Sequence, residues 1–346
     1  MQWKSHLSEK IKEHLPTSNL YLNRDNLNRY FEFGYERNKI WKSRFVDKKD
    51  FPWTDDPIMR DINFCNTYRI LDRNSQWEIS NITLKNKKIE DYIWNVIFFR
   101  YFNSPIFFEF LKRETNWESG IPTKNQYDKD LFLNLMTKAR SEGINPFTSA
   151  YLTNSVICPK KSRDYCFSNV VIPNLIEKVD GIVVEFEKGG NEKKFTKYMV
   201  DNLFSCSYFL AHEFYVSLCF SERIGKPFES GWSHDTYANV GPGCSCGIRM
   251  VFPNLKNNNE QYEALKFIRK IAPNYIKKNF PDFIFTKYCE NKKRFVESSD
   301  FNLTLLTFEH WFCEYSKLWR IREDLGGKRK KYRGSGNNEM QDFFLY

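Results

Sequence analysis

A chain of 346 residues with 41% hydrophobic and 17% aromatic side chains, 32 of them Phe, has ample material for a packed core and is excluded from the disordered class. The length fits one large domain or two smaller ones. A formal charge of +10 biases the surface toward anionic partners, with nucleic acid the commonest and an acidic membrane the competitor.

Met1 to Pro16 carries charges throughout and has no apolar run of signal-peptide type. The longest apolar stretch, Ile93 to Phe102, is interrupted by Asn95 and Arg100 and is too short to span a bilayer. Nine cysteines, an odd number mostly in apolar settings, suit free thiols in a reducing compartment. The expectation is an intracellular protein of the cytoplasm or nucleoid, or of the nucleus in a eukaryote, with no membrane partner.

Taken in chain order, Arg24 to Val46 reads as helix, with Leu27, Phe31, Tyr35, Trp41 and Phe45 at roughly helical spacing. An Asp before Pro57 can cap a second helix that carries Ile58, Ile62, Cys65 and Ile70 into a core and ends near residues 73–75. Further helices are expected over Ile89 to Phe102, Ile106 to Leu111 and Asp128 to Arg140. From about 143 to 200 the character changes. Tyr151 to Cys158 and Gly181 to Phe186 look extended, giving either a small β-containing insertion at 150–190 or merely long connections. Helical signal resumes from Val200 to Phe220, and the tail over 326–346 is basic and polar.

Three constellations carry chemistry. Val240-Gly241-Pro242-Gly243-Cys244-Ser245-Cys246-Gly247 reads as a glycine turn between two helices. Its exposed N–H groups can grip a phosphate through Gly241 and Gly243, and Gly247 permits close helix packing. The alternative is an ordinary helix-to-helix turn. No G-x-x-x-x-G-K-[ST] nucleotide loop occurs in the chain. Cys244 and Cys246, with His234 upstream, have poor zinc spacing, so no metal is assigned and none is needed.

The second constellation is a helix over Leu305, Phe308, Phe312, Tyr315 and Trp319, followed by a basic run. Glu309 falls beside the apolar stripe, where a carboxylate can meet a flipped base or merely support the packing around it. Glu314 falls opposite it, near His310 and Lys317, and reads as a solvent-facing ion-pair residue. Lys317, Arg320, Lys328 and Arg329 with their basic neighbours read as a phosphate-binding strip, the alternative being a solubilising surface run. In the third constellation, Arg69, Asp72, Arg73 and Gln76 leave an apolar helix, and Gln76 has the donor and acceptor needed to read a base edge. Bridging of two helices is the structural alternative.

Four ordered landmarks carry a family resemblance. They are Trp53-Thr54-Asp55-Asp56-Pro57; Phe64-Cys65-Asn66-Thr67-Tyr68-Arg69-Ile70-Leu71-Asp72-Arg73; Trp232 through Gly247; and Phe308-Glu309-His310-Trp311-Phe312-Cys313-Glu314-Tyr315-Ser316-Lys317 with its basic run. Over roughly residues 30 to 333 they resemble the helical proteins of thymine-hypermodification pathways in viral DNA. That family is described both as the helical domain of 5-hydroxymethyluracil DNA kinases and as alpha-glutamyl/putrescinyl thymine pyrophosphorylases, and related members are antiviral DNA glycosylases. The resemblance implies a mainly α, helix-hairpin-helix glycosylase-like body over 20–333, with two lobes around a cleft. Cys246 and Ser316 depart from the basic and acidic residues usual at their positions.

On this resemblance the expected function is a DNA glycosylase that cleaves the base–sugar bond of a hydroxymethyl-derived pyrimidine, in antiviral defence. The nucleotide must leave the stack for such chemistry. Glu309 is the first candidate carboxylate, with Asp72 next and Glu213 behind. Arg69, Arg73 and Gln76 would hold the base, and Gly241, Gly243, Lys317, Arg320, Lys328 and Arg329 the backbone. No cofactor is expected. The partners are DNA containing a modified pyrimidine and enzymes of the modification pathway. The alternatives are a transferase or pyrophosphorylase-like enzyme of thymine hypermodification, which leaves that bond intact, and a non-catalytic reader of modified DNA.

Overall fold

The computed structural model describes residues 21–85, 88–148, 158–228 and 231–325. They are mainly helical. Their contacts sort the chain into two units, one joining the residues up to Asp72 with those from Tyr237, the other running from Arg73 to Thr236.

The first unit begins with α1 (Arg24–Trp41), whose N-terminus is closed by the Asn23 side chain accepting from the Asn26 N–H; a π-helical turn follows over Lys42–Val46. Helix α2 (Pro57–Asp61) starts as expected, with Asp56 accepting from the N–H groups of Ile58 and Met59 and Pro57 in the first turn. It stops twelve residues short of the expected end, at Asp61. Residues 62–68 are irregular, and Arg69–Leu71 forms a single 3-10 turn. Carboxylates take the N–H groups that a continuing helix would need: Cys65 N–H donates to Glu314 and Asn66 N–H to Asp72.

The second unit contains α3 (Arg73–Glu78), α4 (Ile89–Phe102), α5 (Pro105–Glu114), α6 (Lys129–Ser141), α7 (Arg163–Cys166), α8 (Ile172–Glu187), α9 (Glu192–Asn202), α10 (Tyr208–Leu218) and α11 (Phe220–Arg223). Helix α4 is apolar nearly all round and serves as the unit's core, with Phe98, Phe99 and Phe102 packed on Phe107, Phe108, Phe132, Phe147 and Phe167. Gly181 to Phe186, expected to be extended, lies inside α8. Its buried residues Ile172, Leu175, Val179, Ile182, Val183 and Phe186 recur at three and four, so burial on a helical stripe overrides the β preference of Ile and Val. The described part of the expected β insertion, residues 158–190, is thus helical with short turns, whereas Tyr151 to Ile157 lie outside the described residues.

The chain then returns to the first unit through α12 (Pro242–Val251), α13 (Asn258–Asn279), an antiparallel hairpin of β1 (Phe285–Cys289) and β2 (Arg294–Ser298), and α14 (Leu305–Arg322). The two strands pair Phe285 with Ser298 and Cys289 with Arg294, and they are the only strands among the described residues. Residues 231–241 hold a single turn and irregular chain, so the expected hairpin between two helices is instead a loop entering one helix. Gly241 is its N-cap, and Gly243 and Gly247 sit within α12.

Helix α14 is the axis of this unit. Thr304 and Thr307 close its N-terminus in a reciprocal cap. A Cβ on Gly247 would stand 2.3 Å from the Phe312 carbonyl oxygen, so α12 lies almost backbone to backbone on α14. On the α1 side, a Cβ on Gly34 would overlap the Trp311 indole, and Tyr30 stacks on Phe312 at 3.9 Å between ring centres. The Tyr30 hydroxyl donates to the Phe308 carbonyl at 3.0 Å. No helix among the described residues is long and apolar enough to cross a membrane.

Candidate active site

The irregular segment 62–68 cannot satisfy its own backbone, and side chains of α1 and α14 do so. Buried Arg37 on α1 donates through Nε to the Cys65 carbonyl at 3.0 Å and through Nη2 to that of Phe64 at 3.1 Å. From α14, Trp311 Nε1 donates to the Thr67 carbonyl at 2.8 Å, and Lys317 Nζ donates to that of Asn63. Glu314 receives the Cys65 N–H at 3.2 Å and pairs with Lys317 at 3.3 Å. Just beyond, Asp72 receives the Asn66 N–H at 2.8 Å, while Asn66 Nδ2 donates to the Leu71 carbonyl. The loop is thereby pinned over one face of α14 by charged and aromatic side chains, with the Asn66 amide closing its far end.

This arrangement gathers Cys65, Arg69 and Asp72 around His310 and Glu314 of α14. The donor atoms of Cys65, Asp72 and His310 lie within 4.8 Å of one another. Burial lifts the Asp72 carboxyl above the usual carboxylate range against the pull of Arg69 and His310. Burial and the nearby Arg69 guanidinium hold His310 below its ordinary value, so the ring is neutral at pH 7. At Glu314 burial also pushes upward, yet Lys317, His310 and the Cys65 N–H outweigh it and hold the carboxyl below its ordinary value. Burial, with Glu314 and Asp72, pushes the Cys65 thiol well up. A neutral imidazole, a carboxyl ready to exchange a proton, a fixed carboxylate and a guanidinium can together take a proton and steady a developing anion.

Of the residues singled out in the sequence, Arg69, Asp72 and Lys317 come together here. Glu309 is half-buried on α14 and couples electrostatically to Tyr30, Cys244 and Cys313 as well as to His310. Glu213 is buried in the second unit, close to Glu78, which pairs with Arg100 at 2.7 Å. Arg73 is exposed at the head of α3 and Gln76 is fully buried, so they do not extend one helical face with Arg69; the chain breaks helix between them. A Gln enclosed this way presents no edge to a base. Gly243 faces the Cys313 thiol rather than a ligand surface, and a Cβ on Gly241 would meet open space. Arg320 is exposed, and Lys328 and Arg329 lie outside the described residues.

Sequence reasoning missed Cys65 and His310 and placed Glu314 in solvent, whereas its side chain is 12% exposed. The signal available was the His310–Glu314 pair, one turn apart on α14, together with a cysteine seven positions before Asp72.

Residues 24–326 match the family model described as 5-hmdU DNA kinase, helical domain. A protein named 5-hmdU DNA kinase from Bacillus phage SP10 is 28% identical over 301 residues, covering 84% of this chain and 44% of that protein. The chain thus spans less than half the length of that relative. No solved structure matches the chain. The two matches overturn the expectation of an antiviral DNA glycosylase, and with it the hydrolase class. A kinase transfers a phosphoryl group and has no need to break the bond between base and sugar.

Proposed function

The chain belongs to the family of the 5-hmdU DNA kinase helical domain, and from that premise we propose that it is a transferase of thymine hypermodification, acting on DNA. It works at the 5-substituent of a 5-hydroxymethyl pyrimidine while the base stays joined to its sugar. The observation that carries this reading is the family match over residues 24–326. The cluster on α14 supports it chemically. In transfer from a nucleoside triphosphate onto a hydroxymethyl oxygen, the new oxygen–phosphorus bond forms as the bond from the γ-phosphorus to the leaving diphosphate oxygen breaks, and a group must take the hydroxyl proton, which Asp72 or neutral His310 can accept. Arg69 can face the phosphoryl oxygens, and Glu314 keeps the loop in place. The chain has no G-x-x-x-x-G-K-[ST] segment, so in this reading the phosphoryl donor is held without that loop, and the cluster on α14 faces the acceptor: the DNA, the base and its 5-substituent.

The test offers the full chain two substrates: duplex DNA containing 5-hydroxymethyluracil with ATP and Mg2+, and the 5-phosphomethyl form of that DNA with simple amines. Nucleosides are then resolved by mass spectrometry. The expected result is an altered nucleoside still carrying its sugar in at least one arm. Asp72→Asn should lower the rate by about 10²- to 10⁴-fold, as removal of a general base does, with DNA binding retained. Glu309→Gln should cost less than about tenfold, since a carboxylate without a proton-transfer role carries none of that factor. Unaltered nucleosides in both arms, with the DNA still bound, would replace the transferase with a reader of modified DNA.

A further inference from the structure

The cluster of Cys65, Asp72 and His310 has a second property, independent of what is transferred. One sulfur, one carboxylate oxygen and one imidazole nitrogen converge within 4.8 Å of one another, from a loop, the end of a 3-10 turn and a long helix. Around a tetrahedral ion with metal–sulfur bonds of about 2.3 Å and metal–nitrogen or metal–oxygen bonds of about 2.0 Å, such donors stand roughly 3.3–3.6 Å apart. Side-chain rotations of about 1 Å close that difference.

His310 supplies a separate observation. It is 8% exposed, and its Nε2 is shielded from solvent with no hydrogen-bond partner. Leaving a buried ring nitrogen unsatisfied costs about 1–3 kcal/mol, and native proteins rarely accept that without a ligand or water to fill the place. The surroundings are also those of ligating residues. Asp72 is oriented by the Asn66 N–H, and the backbone on either side of the Cys65 side chain is fixed by Glu314 and Arg37. Such outer contacts hold donor atoms in place before an ion arrives.

We propose that Cys65, Asp72 and His310 form a three-ligand site for Zn2+ or a similar borderline divalent ion, with a fourth position open to an exchangeable oxygen ligand. A thiolate beside an imidazole selects this class over Mg2+ or Ca2+, which take oxygen donors. Zn2+ with one thiolate and one carboxylate is a neutral unit, so the neighbouring Arg69 faces no uncompensated cation. Three protein ligands and one open place are the pattern of ions that bind a reacting oxygen rather than merely brace a fold. As a participant in the transfer the ion rests on the reading above, and with the ion bound Asp72 and His310 would act as its ligands, the oxygen at the open position taking the proton in their place; as a bound ion it rests on this geometry alone.

The experiment titrates Co2+ into the full chain after treatment with a chelator, following the thiolate-to-cobalt charge-transfer absorption and then its displacement by Zn2+. One ion per chain with that absorption is expected. Cys65→Ser, nearly equal in size, should abolish the absorption and weaken binding by at least about tenfold, with circular dichroism and thermal melting confirming that the variant is folded. Cys246→Ser should leave both unchanged. Absence of the absorption in the parent protein, its persistence in Cys65→Ser, or its loss in Cys246→Ser would each overturn the site. Stoichiometric Co2+ binding with no altered nucleoside would sink the transfer reading and leave the metal site standing. Transfer by a chain that takes up no Co2+ would do the reverse.

Discussion

Asp72 and Glu314 are carboxylates of one cluster held on opposite sides of their ordinary range. Burial acts on both, and the difference is made by partners. Glu314 has Lys317 and a backbone N–H directly on it, whereas the Asn66 N–H and the charge of Arg69 do not outweigh burial at Asp72. Carboxylates pushed apart in this way are the arrangement by which acid–base roles are divided in enzymes, and the proposed transfer draws on it. The second unit shows the same physics in a structural setting. Burial pushes the Glu78 carboxyl up to about 7, against the pull of Arg100 and Ser217. The folded value lies above the value of 4.5 taken for the unfolded chain, so folding favours the protonated acid. The stability gained is complete below about 4.5 and is lost as pH rises through about 7. A shift of this size corresponds to on the order of 3 kcal/mol. Urea melts between about pH 5 and about pH 8 should therefore show the parent protein losing stability relative to Glu78→Gln as pH rises. Parallel pH dependences for the two proteins would rule out Glu78 as the titrating group.

At the scale of elements, the close approach of α12 to α14 makes opposite demands on two glycines. Replacing a helical Gly by Ala gains about 1 kcal/mol of helix propensity. At Gly243 the new methyl meets the Cys313 thiol at 2.5 Å, the movable end of a side chain. At Gly247 it meets the Phe312 carbonyl at 2.3 Å, fixed in the backbone of α14. Gly247→Ala should therefore destabilise by about 2–3 kcal/mol in denaturant melts, while Gly243→Ala should lie within about 1 kcal/mol of the parent. A Gly247→Ala variant as stable as Gly243→Ala, both close to the parent, would show that the helices separate freely. Gly247 as a close-packing residue was legible in the sequence, though its partner is α14 rather than the other helix of a hairpin; α1, α4 and α6 were legible as well, their apolar residues or capping Asp marking them plainly. The β hairpin was not, because Lys287 and Arg294 interrupt strands only partly buried. The candidate site was half legible. Arg69, Asp72 and Lys317 announce themselves as polar residues beside apolar runs. Glu314 and His310 did not, because a helical wheel grants α14 one buried face. The loop over residues 62–68 covers another, and only the fold reveals that loop.

Across the whole molecule, 53 Lys and Arg stand against 43 Asp and Glu, and the excess is concentrated near the end of the chain. Residues 317–333 hold Lys317, Arg320, Arg322, Lys328, Arg329, Lys330, Lys331 and Arg333 against Glu323 and Asp324. Two of these cations are already engaged, Lys317 with Glu314 and Arg322 with Asp56. The phosphate-binding strip expected from the sequence then has exposed Arg320 and the basic residues from Lys328 onward to draw on. Each phosphate neutralised on duplex DNA releases counterions and contributes about 0.9 to the slope of log affinity against log salt. The double replacement Lys328→Gln and Arg329→Gln should flatten that slope by nearly two and weaken binding to unmodified and hydroxymethylated duplexes alike. Selectivity between the two duplexes should stay as it is, because backbone contacts carry no information about the base. Fluorescence anisotropy over a salt titration, run with both duplexes, reads slope and selectivity together. An unchanged slope would remove this strip from the DNA interface. A loss confined to the hydroxymethylated duplex would instead place Lys328 and Arg329 at the modified base.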